Sequence, residues 1–198
     1  MKLPNELAAL LIAVSFAAGL NVYATVATLG LLAQGGVLTL PPPLQMLASW
    51  YVIATSSLLF AVEFFADKIP AFDLIWNALH TFIRVPVAAL LAYRATASLS
   101  PWEQLAAAAV GGAIALAAHG GKTAVRAAVT PSPEPFSNMT LSLGEDALAI
   151  FLTWFAVRHP YWSAAIVGVL LLVILVLTRW VVRSIRALFR GAERELVK

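Results

Sequence analysis

The residues with the most chemical capacity lie in two stretches of an otherwise apolar chain. Between Val62 and Arg84 stand Glu63, Asp67, Lys68, Asp73, His80 and Arg84. Between His119 and Asp146 stand His119, Lys122, Arg126, Glu145 and Asp146. Carboxylates, imidazoles, ammonium and guanidinium groups can carry protons, pair with one another, or hold a polar solute or ion. Beside hydrocarbon such groups are expensive, so they face a polar interior, pair, or sit at the interface.

Spacing decides which of them can meet. Glu63 and Asp67 are i, i+4, as are His80 and Arg84, so each pair shares a helical face. His119, Lys122 and Arg126 fall at i, i+3 and i+7, again on one face. The first stretch starts acidic and ends basic, and the second does the reverse. A crossed pairing is therefore expected, Glu63 and Asp67 with Lys122 and Arg126, and Arg84 with Glu145 and Asp146. Three readings of the cluster are open: an ion-pair network that fixes helix register, a path for a small polar or anionic solute, lipid headgroup or proton, and a divalent-metal site. The weak metal candidates, which would make the protein a membrane-embedded metal-dependent hydrolase, are Glu63, Asp67, His80 and Glu145, with Asp146 as a further carboxylate, because carboxylate and imidazole suit hard or borderline ions. There is no H-E-x-x-H. A solute path predicts an open polar cavity bounded by Arg84, Lys122 and Arg126 and reaching Asn21; the network predicts closed packing.

Other chemistries are excluded or unsupported. H-G-G-K-T at 119–123 lacks the first, spaced glycine of a phosphate-binding loop and follows no strand. No nucleophile elbow or Ser/Thr with a paired base is visible, so no soluble-substrate enzyme and no cofactor is expected. The absence of cysteine rules out disulfides, thiolate metal sites, Fe–S clusters and thiol catalysis.

The elements that must position these groups read as membrane spans. The chain has 198 residues, 61% of them hydrophobic and 12% charged, with mean hydropathy +0.87. A soluble domain carries about 25% charged residues, so lipid is the expected solvent. At about 20 apolar residues per span, the length suits an all-α integral membrane protein of about six transmembrane helices. The expected spans are about 6–33, 44–66, 74–97, 102–118, 139–157 and 162–180, with a basic tail over 181–198, all in a single polytopic domain. The N-terminal stretch is too long and too weakly basic for a signal peptide.

Within the first span, Gly19, Asn21, Tyr23 and Thr25 are compatible with two arrangements. One is tight packing on small residues with an interhelical hydrogen bond from Asn21. The other is a helix interrupted at Gly19–Asn21, with Asn21 and Tyr23 along a solute path. Glycines 35 and 36 and prolines 41–43 form a loop. Asp73 is expected to cap the third helix, and Ser100 the fourth, with Pro101 at its first position. The fourth span, rich in Ala and Gly, is expected to be the central, most enclosed helix. Gly120–Gly121 is expected to loosen its end. The last span, Val- and Leu-rich, is expected to face lipid.

Lys2, Lys68, Lys122, Arg126, Arg183, Arg186, Arg190, Arg194 and Lys198 fall on one side of a six-span arrangement. The positive-inside rule places that side, with both termini and the two charged, proline-rich loops, in the cytoplasm. The expected location is the inner membrane. Arg179, Arg183, Arg186 and Arg190 make a basic helical stripe suited to anionic lipid headgroups. The net charge of +3 sits mainly in this tail, which argues against a nucleic-acid partner. The small-residue span also allows a homo-oligomer.

A-D-K-I-P-x-x-D, then W-x-x-x-H-T-x-x-R-x-P, S-P-E-P-x-S-N and S-x-x-E-D together resemble the bacterial membrane-protein family called domain of unknown function 4126. The resemblance runs from Gly19 to about Trp180. It places family motif positions on Asp67, Lys68, Pro70, Asp73, His80, Arg84, Pro131, Pro133, Pro135, Asn138, Glu145 and Asp146. Where the family often carries an aromatic–arginine pair after the glycine, this chain has Leu20-Asn21. The resemblance implies a helical membrane fold and no particular activity.

Overall fold

The computed structural model describes the backbone of residues 4–66, 70–129 and 135–196. Side chains are described throughout these ranges except at 4, 70–78, 126–129, 135–138, 181–182 and 184–196. Asp67, Lys68, Pro131 and Pro133 therefore lie outside the described residues. So do the side chains of Asp73, Arg126, Pro70, Pro135, Asn138, Arg186, Arg190 and Arg194.

The described chain is all-helical, and no strand occurs in it. In order it forms α1 (Pro4–Leu20), α2 (Val22–Gln34), a 3-10 helix (Pro42–Ala48), α3 (Trp50–Ala66), α4 (Pro70–Ala95), α5 (Pro101–Val129), α6 (Pro135–Arg158) and α7 (Pro160–Leu196). Among the described residues three helices are each long and apolar enough to cross a membrane: Pro101–Val125, Met139–Arg158 and Pro160–Trp180. The 3-10 helix and α3, bent by 62° at their junction, make a fourth if they form one span. α1 and α2 have 17 and 13 residues. At 1.5 Å rise per residue each falls short of the roughly 30 Å hydrocarbon core. The structure thus supports a membrane-spanning helical protein without reproducing the count of six.

Several local expectations change. The first apolar stretch is interrupted, with Asn21 in an extended conformation at φ −149°, ψ 105°. α4 begins at Pro70, which places Asp73 inside its first turn and not at its N-cap. Proline suits the first helical position because its missing N–H would have no partner there. α5 continues without a break through Gly120 and Gly121. Its start is as expected: the Ser100 backbone N–H and Oγ–H both donate to the Glu103 carboxylate at 2.9 and 2.7 Å, and the Glu103 N–H reaches back to Ser100 Oγ. That is a capping box. At the end of α2, Gly36 takes φ +71°, a left-handed turn that glycine adopts without a Cβ clash.

The central helix is α1, and the expectation that α5 would be the most enclosed is corrected. From Ala13 through Leu20 every α1 residue is buried, and α1 packs on α2, α4, α5, α6 and α7. α5 is buried on one face only, with Ala113, Leu116 and Gly120 exposed. A helix apolar all round belongs inside, and α1 carries no charge after Glu6. α5 carries its small residues where α1 crosses it. A Cβ on Gly19 would lie 2.4 Å from the Ala115 carbonyl oxygen and 2.8 Å from Ala118 Cβ. A Cβ on Gly111 would meet Ser15 Oγ and Ala92 Cβ, both at 2.9 Å. Small residues give close backbone approach where lipid supplies no hydrophobic drive. α7 faces outward as expected, with Val169, Leu172, Leu175 and Val176 all more than half exposed.

Gly19→Val should therefore lower stability by about 1–3 kcal/mol through overpacking, because its neighbour is backbone that cannot rotate away. Gly120→Ala, whose Cβ meets nothing within 4 Å, should not. Unfolding in detergent micelles checks this: equal midpoints for the two variants would contradict the α1–α5 contact.

Candidate functional site

The polar groups gather around two points. The first is the α1–α2 break. There the Asn21 side-chain oxygen accepts from the Ala24 N–H at 2.9 Å, capping α2. The Asn21 side-chain NH2 donates to Asp146 Oδ1 at 2.8 Å, and Thr25 Oγ1 donates to the Asn21 carbonyl. On the other side of the break, Lys122 Nζ lies 3.4 Å from the Leu20 carbonyl oxygen and 3.2 Å from Glu145 Oε2. A cation thus meets the C-terminal end of α1 and an acid meets the N-terminal end of α2, matching both helix dipoles. Asn21, Lys122 and Asp146 are all buried.

The second point lies between α3, α4 and α5. Arg84 Nη2 pairs with Glu63 Oε1. Arg84 Nη1 lies 2.8 Å from His119 Nδ1, and Thr81 Oγ1 lies 2.7 Å from His119 Nε2. Glu63 and Arg84 are completely buried, and His119 is 4% exposed. Glu63 Oε2 is buried and receives no hydrogen bond among the described residues. On the next turn of α4, His80 Nε2 lies 3.2 Å from Tyr23 Oη, the two rings meeting edge-on. The i, i+3 spacing of His119 and Lys122 on α5 joins the two points.

Among the described residues the contacts found differ from the crossed pairing. Glu63 meets Arg84, Lys122 meets Glu145, and Asp146 meets Asn21. The physical setting is neighbourhood: α3 packs on α4, α4 packs closely on α5, and α6 packs on α1, α2 and α5. Asp67 and Lys68, and the side chains of Asp73 and Arg126, lie outside the described residues. Of the weak metal candidates, Asp67 lies outside the described residues. Among the described residues no three of His, Asp and Glu converge, and Glu63 and Glu145 are each held by a cation. Thr81 is a site residue that the sequence reading missed. Its signal was present in the H-T pair, but a threonine is legible as a histidine partner only once α5 lies alongside α4.

An open groove of about 340 Å³ lies between α2, α3 and α4, with Val22, Tyr23, Val26, Tyr51, Ser56 and Val87 among its walls. It is mainly apolar and not lined by Arg84, Lys122 or Asn21, so it is not the polar cavity that a solute path predicts. Tyr23 alone belongs to both the groove and the polar contacts.

A bundle of apolar helices around an interrupted central segment, with ionisable side chains buried at the interruption, is the architecture of a polytopic helical membrane protein. Residues 8–180 match the family described as domain of unknown function, DUF4126, and the chain belongs to that family. No curated protein and no solved structure matches the chain.

Proposed function

We propose that this protein transports a small polar or anionic solute, or a lipid headgroup, and that the α1–α2 break is its site. The observation that carries the reading is the pair of helix ends at Leu20–Asn21, met by Lys122 and Asp146 at 3.4 Å or less through Leu20 and Asn21. Broken helices in transporters use such ends to bind solutes and coupling ions. Irregular backbone at membrane depth is tolerated where it is buried in protein or lines a cavity. Lys122 holds both a backbone carbonyl and Glu145, so an anion that takes the ammonium releases both.

The proposed setting is a six-span protein of a bacterial inner membrane with both termini cytoplasmic, its basic tail on anionic lipid and its small-residue surfaces available to a second copy. The charge distribution supports that orientation; a reporter fused at Pro41–Pro43 and found in the cytoplasm rules it out. Flux of a panel of small anions and zwitterions into proteoliposomes tests the function. At least one solute should move, and Lys122→Gln should slow it tenfold or more while the protein stays monodisperse in detergent. No flux, or flux indifferent to Lys122→Gln, removes the proposal.

A second reading has its own observation. Glu63 and Arg84 are wholly buried and the groove beside them is apolar, which suits a structural membrane protein held by an ion-pair network. On that reading, replacing Glu63 and Arg84 together by apolar residues leaves the cell phenotype intact while each single change lowers abundance.

A further inference from the structure

We propose that His119 Nδ1 is a proton-binding site in which a proton and the Arg84 guanidinium exclude one another; the inference rests on the transport reading and makes the proton its coupling ion. A guanidinium has only donors. With Arg84 Nη1 at 2.8 Å, His119 Nδ1 must present its lone pair. The ring hydrogen is then on Nε2, 2.7 Å from Thr81 Oγ1, and Nε2–H donates to that hydroxyl. The imidazole is held neutral and in one tautomer by two partners, as is usual for a buried histidine with a task.

Adding a proton reverses the contact. A proton from water bonds to the Nδ1 lone pair, the Nη1–H···Nδ1 hydrogen bond is lost, and an N–H then faces a cationic N–H. The guanidinium has to leave. Its other nitrogen, Nη2, holds Glu63, so its departure uncovers a carboxylate that is completely buried and already has one oxygen, Oε2, without a hydrogen bond among the described residues. The N–H bond formed at Nδ1 replaces an O–H bond of hydronium, which leaves as water, and the charge of the Glu63–Arg84–His119 group rises by one.

Charged and titratable groups from several helices pack around the two polar points. Among the described residues Arg84 of α4 meets His119 directly and Glu63 of α3 meets it through Arg84; His80 of α4 with Tyr23 of α2 lies one turn away, and Lys122 of α5, with Glu145 and Asp146 of α6, lies at the neighbouring break. α1 brings no titratable side chain after Glu6, and α7 meets α5 at Gly121 with Ile174, its Arg179 and Arg183 being exposed.

The test is nitrogen NMR of protein carrying 15N-histidine and 13C-arginine, in nanodiscs. A His80→Gln/His159→Gln background leaves His119 as the sole histidine. At alkaline pH the ring should show one neutral tautomer, protonated at Nε2, with Arg84 Cζ dipolar-coupled to Nδ1. On acidification the imidazolium signal should grow over the same pH steps in which that coupling disappears. In Arg84→Met the alkaline spectrum should become a mixture of tautomers; the first two readouts need no Arg84 variant and decide the matter if this one does not fold. Mixed tautomers with Arg84 present, or an imidazolium that keeps its Arg84 coupling, overturns the site. A protein that shows both signatures and moves no solute retires the transport reading alone. One that moves solute while His119 shows mixed tautomers retires the proton site alone.

Discussion

Arg84→Ala is expected to destabilise the protein by about 3–5 kcal/mol, because it strands Glu63 as an uncompensated buried charge. Both members of the pair are completely buried, so water cannot replace the lost guanidinium without reopening the α3–α4 contact. Glu63→Ala should cost a similar amount by stranding Arg84, although His119 Nδ1 still accepts one of its hydrogens. Joint replacement by apolar residues of similar volume, Glu63→Leu with Arg84→Met, should recover most of the loss, since buried ion pairs are often no more stable than packed hydrophobic side chains. Denaturant or SDS unfolding in micelles checks the series. Strictly additive single and double losses would mean that the two residues do not act as a pair.

Asn21→Ala should have the second largest effect, about 2–4 kcal/mol. Its side chain does two things at once: it caps α2 at Ala24, worth about 0.5–2 kcal/mol, and it donates to a buried carboxylate, worth about 1.5–3 kcal/mol. Asn21→Ser separates them. A serine still caps a helix but is too short to reach Asp146, so it should retain the first contribution and lose the second. A double-mutant cycle of Asn21→Ala with Asp146→Ala should show a coupling of about 1 kcal/mol or more, within the range for directly bonded residues. Coupling below about 0.3 kcal/mol would place Asp146 elsewhere. If the break is also the transport site, flux in Asn21→Ser should fall further than its stability loss accounts for.

Much of the architecture was legible in the residues themselves. Low charge and long apolar runs specify lipid-facing helices because each backbone group in hydrocarbon must be bonded within its own helix. Ser100-Pro101 with Glu103 marks a helix start by local chemistry alone. So does the outward face of α7, whose bulky branched side chains have no small-residue seam to pack by. The motif residues around His80, Arg84, Glu145 and Asp146 identified the family and the polar cluster. The identity of each partner was not legible. Glu63 pairs with Arg84 and Lys122 with Glu145, because α3 packs on α4 and α5 on α6, a matter of helix neighbourhood that charge order along the chain does not encode. The interruption at Asn21 was one of two arrangements its sequence allowed. What selects it is Lys122 and Asp146, delivered from α5 and α6, which satisfy the two helix ends that the break exposes. The enclosure of α1 in place of α5 has the same origin. Both helices are rich in small residues, and only packing on five neighbours decides which is buried on every side. Hydrophobic pattern is a property of one segment; ion-pair choice, helix interruption and centrality belong to how segments meet.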